Sequence, residues 1–196
     1  MTLSKRDITY AIITGLTAGA LGAFILLFLK KSLPFDISPI WMIAVVPLLW
    51  IAGVQLGYFL GKWIKPFEQF GIFAAIGFTN FAVDTGVLNL LIAESGIFKG
   101  IWYSVFKGVS FCVAVVHSYY WNRRWTFKSR GPVENEAPKF FLVMILSLLV
   151  NVAVASLAVY LLPTSEINAN IGAVVGSAVA LIFSFIGFRL IVFRQS

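Results

Sequence analysis

The run Tyr119-Tyr120-Trp121-Asn122-Arg123-Arg124-Trp125-Thr126-Phe127-Lys128 sets two arginines and a lysine among five aromatic rings. A guanidinium is a planar, permanently charged fork of donors that fits phosphate oxygens in pairs, and a lysine adds a point charge. Aromatic rings at such a place prefer the headgroup level of a bilayer. The chemistry this segment suits is the grip of a phosphate or pyrophosphate head that carries a long apolar tail. Arg123, Arg124, Lys128 and the amide of Asn122 are its candidate contacts. A second cationic end follows: Ser118 precedes Arg123, Phe127 and Lys128 at the intervals by which Ser184 precedes Arg189, Phe193 and Arg194. Brought together, the two ends would make a cationic pocket with Arg189 in it. Ordinary anchoring of basic residues at a membrane face explains the same residues without a ligand.

A second set of polar residues lies inside apolar runs. Asp84 and Lys107 are ionisable groups at membrane depth, where an unpartnered charge costs several kcal/mol, so each is a candidate for function. At 1.5 Å per residue Asp84 is about 21 Å from one face and Lys107 about 10 Å from the other, nearly one level in a ~30 Å core. The two can therefore pair, either to pin two helices together or to poise Lys107 for a phosphate or sugar. Asn80 and Asn151 come out near the midplane and can bridge helices or touch a substrate. His117, the only histidine, is either a packed polar residue or a proton carrier. Asn80, Asp84, Lys107, His117 and Asn151 together would line a polar path. No His, Cys, Asp or Glu cluster has metal spacing, and no glycine-rich phosphate loop follows a strand, so neither a metal nor a nucleotide cofactor is expected. Cys112, the only cysteine, reads as a small packing residue.

The elements that must hold these groups follow from composition. Of 196 residues, 60% are hydrophobic and 12% charged. That is too few charges to coat a soluble domain, and too much apolar surface to hide in one small core. A net charge of +7 suits nucleic acid or an anionic membrane. The apolar content decides for the membrane, and no nucleic-acid partner is expected. Six stretches are long enough to cross a bilayer as helices: Ile8–Leu29, Ile40–Gly61, Gln69–Ala93, Gly100–Asn122, Phe140–Leu162 and Ile167–Phe188. Lys5 and Arg6 before the first imitate a signal peptide, but the apolar run continues to Lys30 and Lys31, which predicts a retained helix. With both termini on one side, that side carries eleven of the 15 Lys and Arg. The other carries Lys30, Lys31, Lys99 and, within its span, Lys107. Cytoplasmic termini are therefore expected. The longest loop, about Arg123 to Lys139, leaves no room for a soluble catalytic domain, and no enzyme activity is expected.

The chain divides at Lys62–Glu68. Residues 1–66 form an N-terminal two-helix transmembrane hairpin, and 67–196 a four-helix transmembrane domain. In the hairpin, Gly15 and Gly19, and then Gly53, Gly57 and Gly61, recur four apart, clearing one helix face for close approach by another backbone. They serve either packing within the chain or an oligomer interface. Pro47 predicts a kink. In the four-helix domain a single hairpin reads as used twice: Phe70 stands ten residues before Asn80, and Phe141 ten before Asn151. Two membrane crossings per unit make this a parallel repeat. The expected fold is thus an all-α integral membrane protein of six transmembrane helices.

Over about 67–194 the chain resembles the GtrA-like family of small membrane proteins. The carriers are Phe73–Asp84 (FAAIGFTNFAVD), with Gly77, Asn80 and Asp84 in the family's spacing, and Tyr119–Lys128 (YYWNRRWTFK). The resemblance implies a role in cell-surface polysaccharide or glycolipid synthesis. Its members move polyprenyl-phosphate-linked sugars across the membrane, or serve as membrane partners of the glycosyltransferases that make or use them. The second unit departs from the pattern, with Ala155 at the position of Asp84 and Phe188 at that of Asn122. The first expectation is therefore a flippase for a polyprenyl-phosphate lipid or its glycosylated form in the plasma (inner) membrane. The alternative is a non-transporting partner that recruits or stabilises a glycosyltransferase. Either is compatible with homo-oligomers.

Overall fold

The computed structural model describes residues 3–29, 38–163 and 166–194, and the side chains of all of these except 166, 167 and 169. Lys30 and Lys31, used above for orientation, lie outside the described residues. Among the described residues the chain forms six α-helices and no strand: α1 (Lys5–Leu29), α2 (Ile40–Leu60), α3 (Phe67–Ser95), α4 (Ile101–Trp121), α5 (Val133–Leu161) and α6 (Glu166–Gly187). All six carry a segment long and apolar enough to span a membrane. Two five-residue π-turns extend α4 (Asn122–Thr126) and α6 (Phe188–Val192). Compactness divides the chain into Met1–Thr126 and Phe127–Ser196. The sequence pattern divides it at 66–67. The difference arises because α1 and α2 pack on α3 within the first unit.

Helices in lipid gain nothing from hiding leucine, so close backbone contact and hydrogen bonds must hold them. The first unit does this with glycine. A Cβ on Gly15 would lie 2.5 Å from the Cα of Pro47, and one on Gly19 2.5 Å from the carbonyl oxygen of Met42. The α1 glycines are therefore consumed by α2, and Gly57 of α2 by Gly71 of α3, where a Cβ would come 2.8 Å from the Phe67 carbonyl oxygen. α2 continues through Pro47.

A buried carboxylate ties the ends of the helices. Ser4 caps α1: its Oγ accepts the Asp7 backbone N–H at 3.1 Å and donates to Asp7 Oδ2 at 2.6 Å. Asp7 is 2% exposed. Its carboxylate also accepts the Tyr58 hydroxyl of α2 at 3.0 Å and the Trp125 indole N–H at 3.0 Å. Trp125, expected at the headgroup level, is instead fully buried in a core with Ala11, Val54, Ile72 and Ile76. Its polar tip is served by Asp7, so it has no need of water. Trp63 and Trp102 do stand exposed near helix ends.

In the second unit α5 and α6 pack through Gly172, Gly176 and Gly187. Phe140 stacks on Phe188 at 4.3 Å, and Phe127 on Phe193 at 4.9 Å. The loop expected over Arg123–Lys139 is mostly helical: α4 runs on as a π-turn and α5 starts at Val133. Pro132 is extended just before that start, and Glu134 and Glu136 sit in the first turn, where the helix dipole favours acids. Glu136 is buried and accepts the Ser129 hydroxyl, folding Ser129–Gly131 over the start of the helix.

Trp125→Phe deletes one donor to a buried carboxylate while keeping most of the ring volume. It is expected to destabilise the protein by about 1–3 kcal/mol, read as a lower unfolding midpoint in detergent. Tyr58→Phe, whose hydroxyl serves the same carboxylate, should act in the same direction, and the two effects should be non-additive.

Candidate functional site

Asp84 on α3 meets one turn of α4. Lys107 Nζ donates to Asp84 Oδ2, and Ser110 Oγ donates to Oδ1 at 2.6 Å. The ion pair expected from depth thus forms, and Ser110, absent from the sequence reading, completes it. The Ser110 hydroxyl also lies 3.0 Å from the carbonyl oxygen of Lys107. Three residues apart on a helix, Lys107 and Ser110 share a face, so one turn of α4 satisfies both carboxylate oxygens. Ser110 is fully buried, while Lys107 is about half exposed.

One turn from Asp84, Asn80 carries a buried Oδ1 with no hydrogen-bond partner among the described residues. Gln69 Oε1 is in the same condition. Eleven residues are almost three whole turns, so Gln69 and Asn80 fall on one stripe of α3, with Asp84 beside it. On α4, both ring nitrogens of His117 are buried and without a partner among the described residues. His117 lies ten residues from Lys107, about 15 Å along the helix toward the π-turn. Its ring centroid is 6.4 Å from that of Trp121. Buried polar atoms are nearly always paired, with protein or with water. Here they are spread along two packed helices, Gln69 and Asn80 lying about 16 Å apart on α3.

The π-turn after α4 holds the basic residues. Asn122 is 1% exposed. Its Nδ2 donates to the Ser118 carbonyl oxygen at 2.9 Å and lies 3.2 Å from Ser118 Oγ, while its Oδ1 accepts the Thr126 hydroxyl at 3.1 Å. The amide nominated above as a phosphate contact is therefore engaged inside the protein, one turn back and one turn forward, and it shapes the turn that presents Arg123 and Arg124. Arg123 is half-buried and Arg124 exposed. Arg124 Nε donates to the Tyr10 hydroxyl at 3.0 Å, and its guanidinium carbon lies 6.0 Å from the centroid of that ring. Lys128, at the start of the second unit, is exposed with a left-handed backbone (φ 51°).

In the second unit the corresponding turn keeps the geometry and changes the chemistry. Arg189 is the second residue of its π-turn, as Arg123 is of the first. Phe188 stands where Asn122 would, buried against Phe140, and the Phe193 N–H closes the turn on the Phe188 carbonyl oxygen at 2.8 Å. Asn151 packs on Gly176, where a Cβ would come 2.7 Å from its Oδ1. Among the described residues no three His, Cys, Asp or Glu gather as metal ligands, and Cys112 is exposed on α4.

Sequence reading missed Asp7, Tyr10, Tyr58 and Ser110. Ser4 as an N-cap, with an acid three residues on, was a usable signal for Asp7. For Tyr10, Tyr58 and Ser110 no local pattern pointed inward.

Residues 72–193 match the family model described as GtrA/DPMS, transmembrane domain. Asp7 and Tyr10 lie before the matched region, and their partners Trp125 and Arg124 lie within it. The chain is 26% identical over 132 residues to a Bacillus subtilis (strain 168) protein named "Uncharacterized membrane protein YngA", covering 66% of this chain and 82% of that one. No solved structure matches.

Asp84→Asn and Lys107→Met each leave one charge unpaired inside the membrane, at a cost of about 3 kcal/mol. The double replacement is expected to recover most of that loss. A double-mutant cycle on the unfolding midpoint reads the coupling, and additive losses would show that the two charges do not support each other.

Proposed function

The chain belongs to the GtrA/DPMS transmembrane-domain family, and from that membership we propose that it flips polyprenyl-phosphate-linked sugars across the cell membrane for polysaccharide or glycolipid synthesis. Membership links this multi-pass protein to the handling of such lipids. The direction and the mechanism are our reading. The observation that carries it is the row of polar groups on α3 and α4. Asn80 and His117 offer buried atoms with no partner among the described residues, on the helices that hold the Asp84–Lys107–Ser110 cluster. Sugar hydroxyls, each both donor and acceptor, suit such atoms.

In this scheme the lipid phosphate docks at the cationic turn after α4. Arg123 and Arg124 neutralise it with charge-assisted hydrogen bonds. Tyr10 holds the Arg124 side chain in place beforehand, so less freedom is lost on binding. The sugar exchanges water for the polar side chains of α3 and α4 as it crosses, while the prenyl tail stays in lipid. Cytoplasmic termini, supported by the Lys and Arg distribution, put the cationic turn on the side where lipid-linked sugars are made. Movement is downhill, or is drawn by a proton or by consumption of the sugar outside.

The test is translocation of a labelled polyprenyl-phosphate sugar in liposomes containing this protein alone. Asn80→Leu and His117→Phe are expected to slow translocation at least about tenfold with head binding retained. Arg123→Gln should weaken binding about tenfold or more, since a hydrogen bond to a charged group is worth about 1.5–3 kcal/mol. If no translocation occurs and the protein only raises the output of a co-reconstituted glycosyltransferase, the flipping reading fails and the role of membrane partner replaces it.

A further inference from the structure

Gly53, Gly57 and Gly61 form a stripe on α2, and their surroundings differ. A Cβ on Gly57 would strike Gly71 of α3, and one on Gly61 would strike the Glu68 side chain. A Cβ on Gly53 would meet nothing within 4 Å. Here α2 and α3 border an open groove of about 380 Å³, floored by the small residues Gly53, Gly57, Gly71, Ala74 and Ala75, with leucines of α2 and aromatic rings of both helices around them. From Leu49 to Leu60 it extends over eleven residues, about 16 Å. That is the depth of one leaflet in a ~30 Å core.

The groove ends at the α2–α3 turn, where Lys62 and Lys65 are exposed beside Trp63. Lys65 pairs with Glu68 at 2.6 Å. Lys62 makes no ion pair among the described residues, and its Nζ stands 5.2 Å from the Phe59 ring centroid. The apolar slot thus ends at Leu60 and Phe67, two and five residues along the chain from Lys62. A second copy of the chain fits poorly. Close helix approach needs small residues on successive turns, and Gly57 and Gly61 are already occupied. The far end is also filled by the Trp50 and Phe78 rings, 6.2 Å apart.

We propose that this groove binds one acyl chain of an anionic phospholipid, with the lipid phosphate on Lys62. The site is separate from the cationic turn after α4 and does not depend on the flipping reading. Its residues precede the region matched to the family, apart from those at the groove's α3 side after residue 71.

The test uses the full chain purified in detergent, offered equal phosphatidylglycerol and phosphatidylcholine, with bound lipid counted by native mass spectrometry. Gly53→Leu adds its bulk at a position where a Cβ meets no protein atom within 4 Å, on the floor of the groove. It is expected to cut bound phosphatidylglycerol at least about fivefold through lost apolar contact. Lys62→Gln, on the exposed turn, should reduce the preference for phosphatidylglycerol over phosphatidylcholine about fivefold. Unchanged retention in both variants overturns the proposal. So does a change from dimer to monomer in Gly53→Leu with lipid content unaltered, which would make a second copy the occupant. Displacement of phosphatidylglycerol from the unaltered protein by equimolar polyprenyl phosphate, abolished in Gly53→Leu, would also overturn it, because the groove would then belong to the carrier lipid. These readouts need no translocation, so failure here leaves the flipping assay to be judged by itself.

Discussion

Inside a bilayer a polar atom has no water to fall back on, and each unpaired one costs what it would cost in oil. Most of what is distinctive in this protein answers that constraint. Asp7 is supplied with donors from its own cap, from Tyr58 and from Trp125. Asp84 is supplied by Lys107 and Ser110. Asn122 spends its amide within one turn in each direction. Against this background Gln69, Asn80 and His117, whose buried atoms have no partner among the described residues, stand apart. A protein that pairs its polar groups this thoroughly gains nothing in stability by burying three side chains incompletely.

The same rule explains why the N-terminal hairpin is more than an appendage. Trp125 and Arg124 sit in the segment matched to the family, yet their partners Asp7 and Tyr10 come from α1. A chain with α3 to α6 alone would leave an indole N–H buried at Trp125 and a guanidinium loose at Arg124. The hairpin thereby fixes the geometry of the turn that carries the basic residues. Its own cohesion comes from glycine: Gly15 and Gly19 let the α1 and α2 backbones touch, which turns many small dispersion contacts into adhesion where the hydrophobic effect is weak.

Six helices could be read from the sequence because length and apolarity are summed over some twenty residues, and no single substitution hides the signal. The Asp84–Lys107 pair was legible for a similar reason, since helical rise converts residue numbers directly into depth. Where direction of burial mattered, the sequence was silent. Trp125 in a basic, aromatic run has the composition of a headgroup anchor, and only the position of Asp7, 118 residues earlier, turns it into a core residue. Ser110 looks like any small residue of a membrane helix until Asp84 is opposite it. The start of α5 was hidden by its charges: Glu134, Glu136 and Lys139 lower the apolar average, although the acids favour a helix start and Glu136 is buried in the structure.

The two π-turns bring these threads together. A π-turn widens the helix by one residue and is rare away from functional places. Here it recurs at the ends of α4 and α6, with an arginine second in each. The interior support differs: a hydrogen-bonded asparagine in the first turn, stacked phenylalanines in the second. The same five-residue turn thus forms over two different interiors, one hydrogen-bonded and one aromatic. The ion pair is not retained, because Ala155 stands where Asp84 would. The halves therefore share a backbone turn with an arginine second in it, and differ in the acid, which the first carries at Asp84 and the second replaces with Ala155.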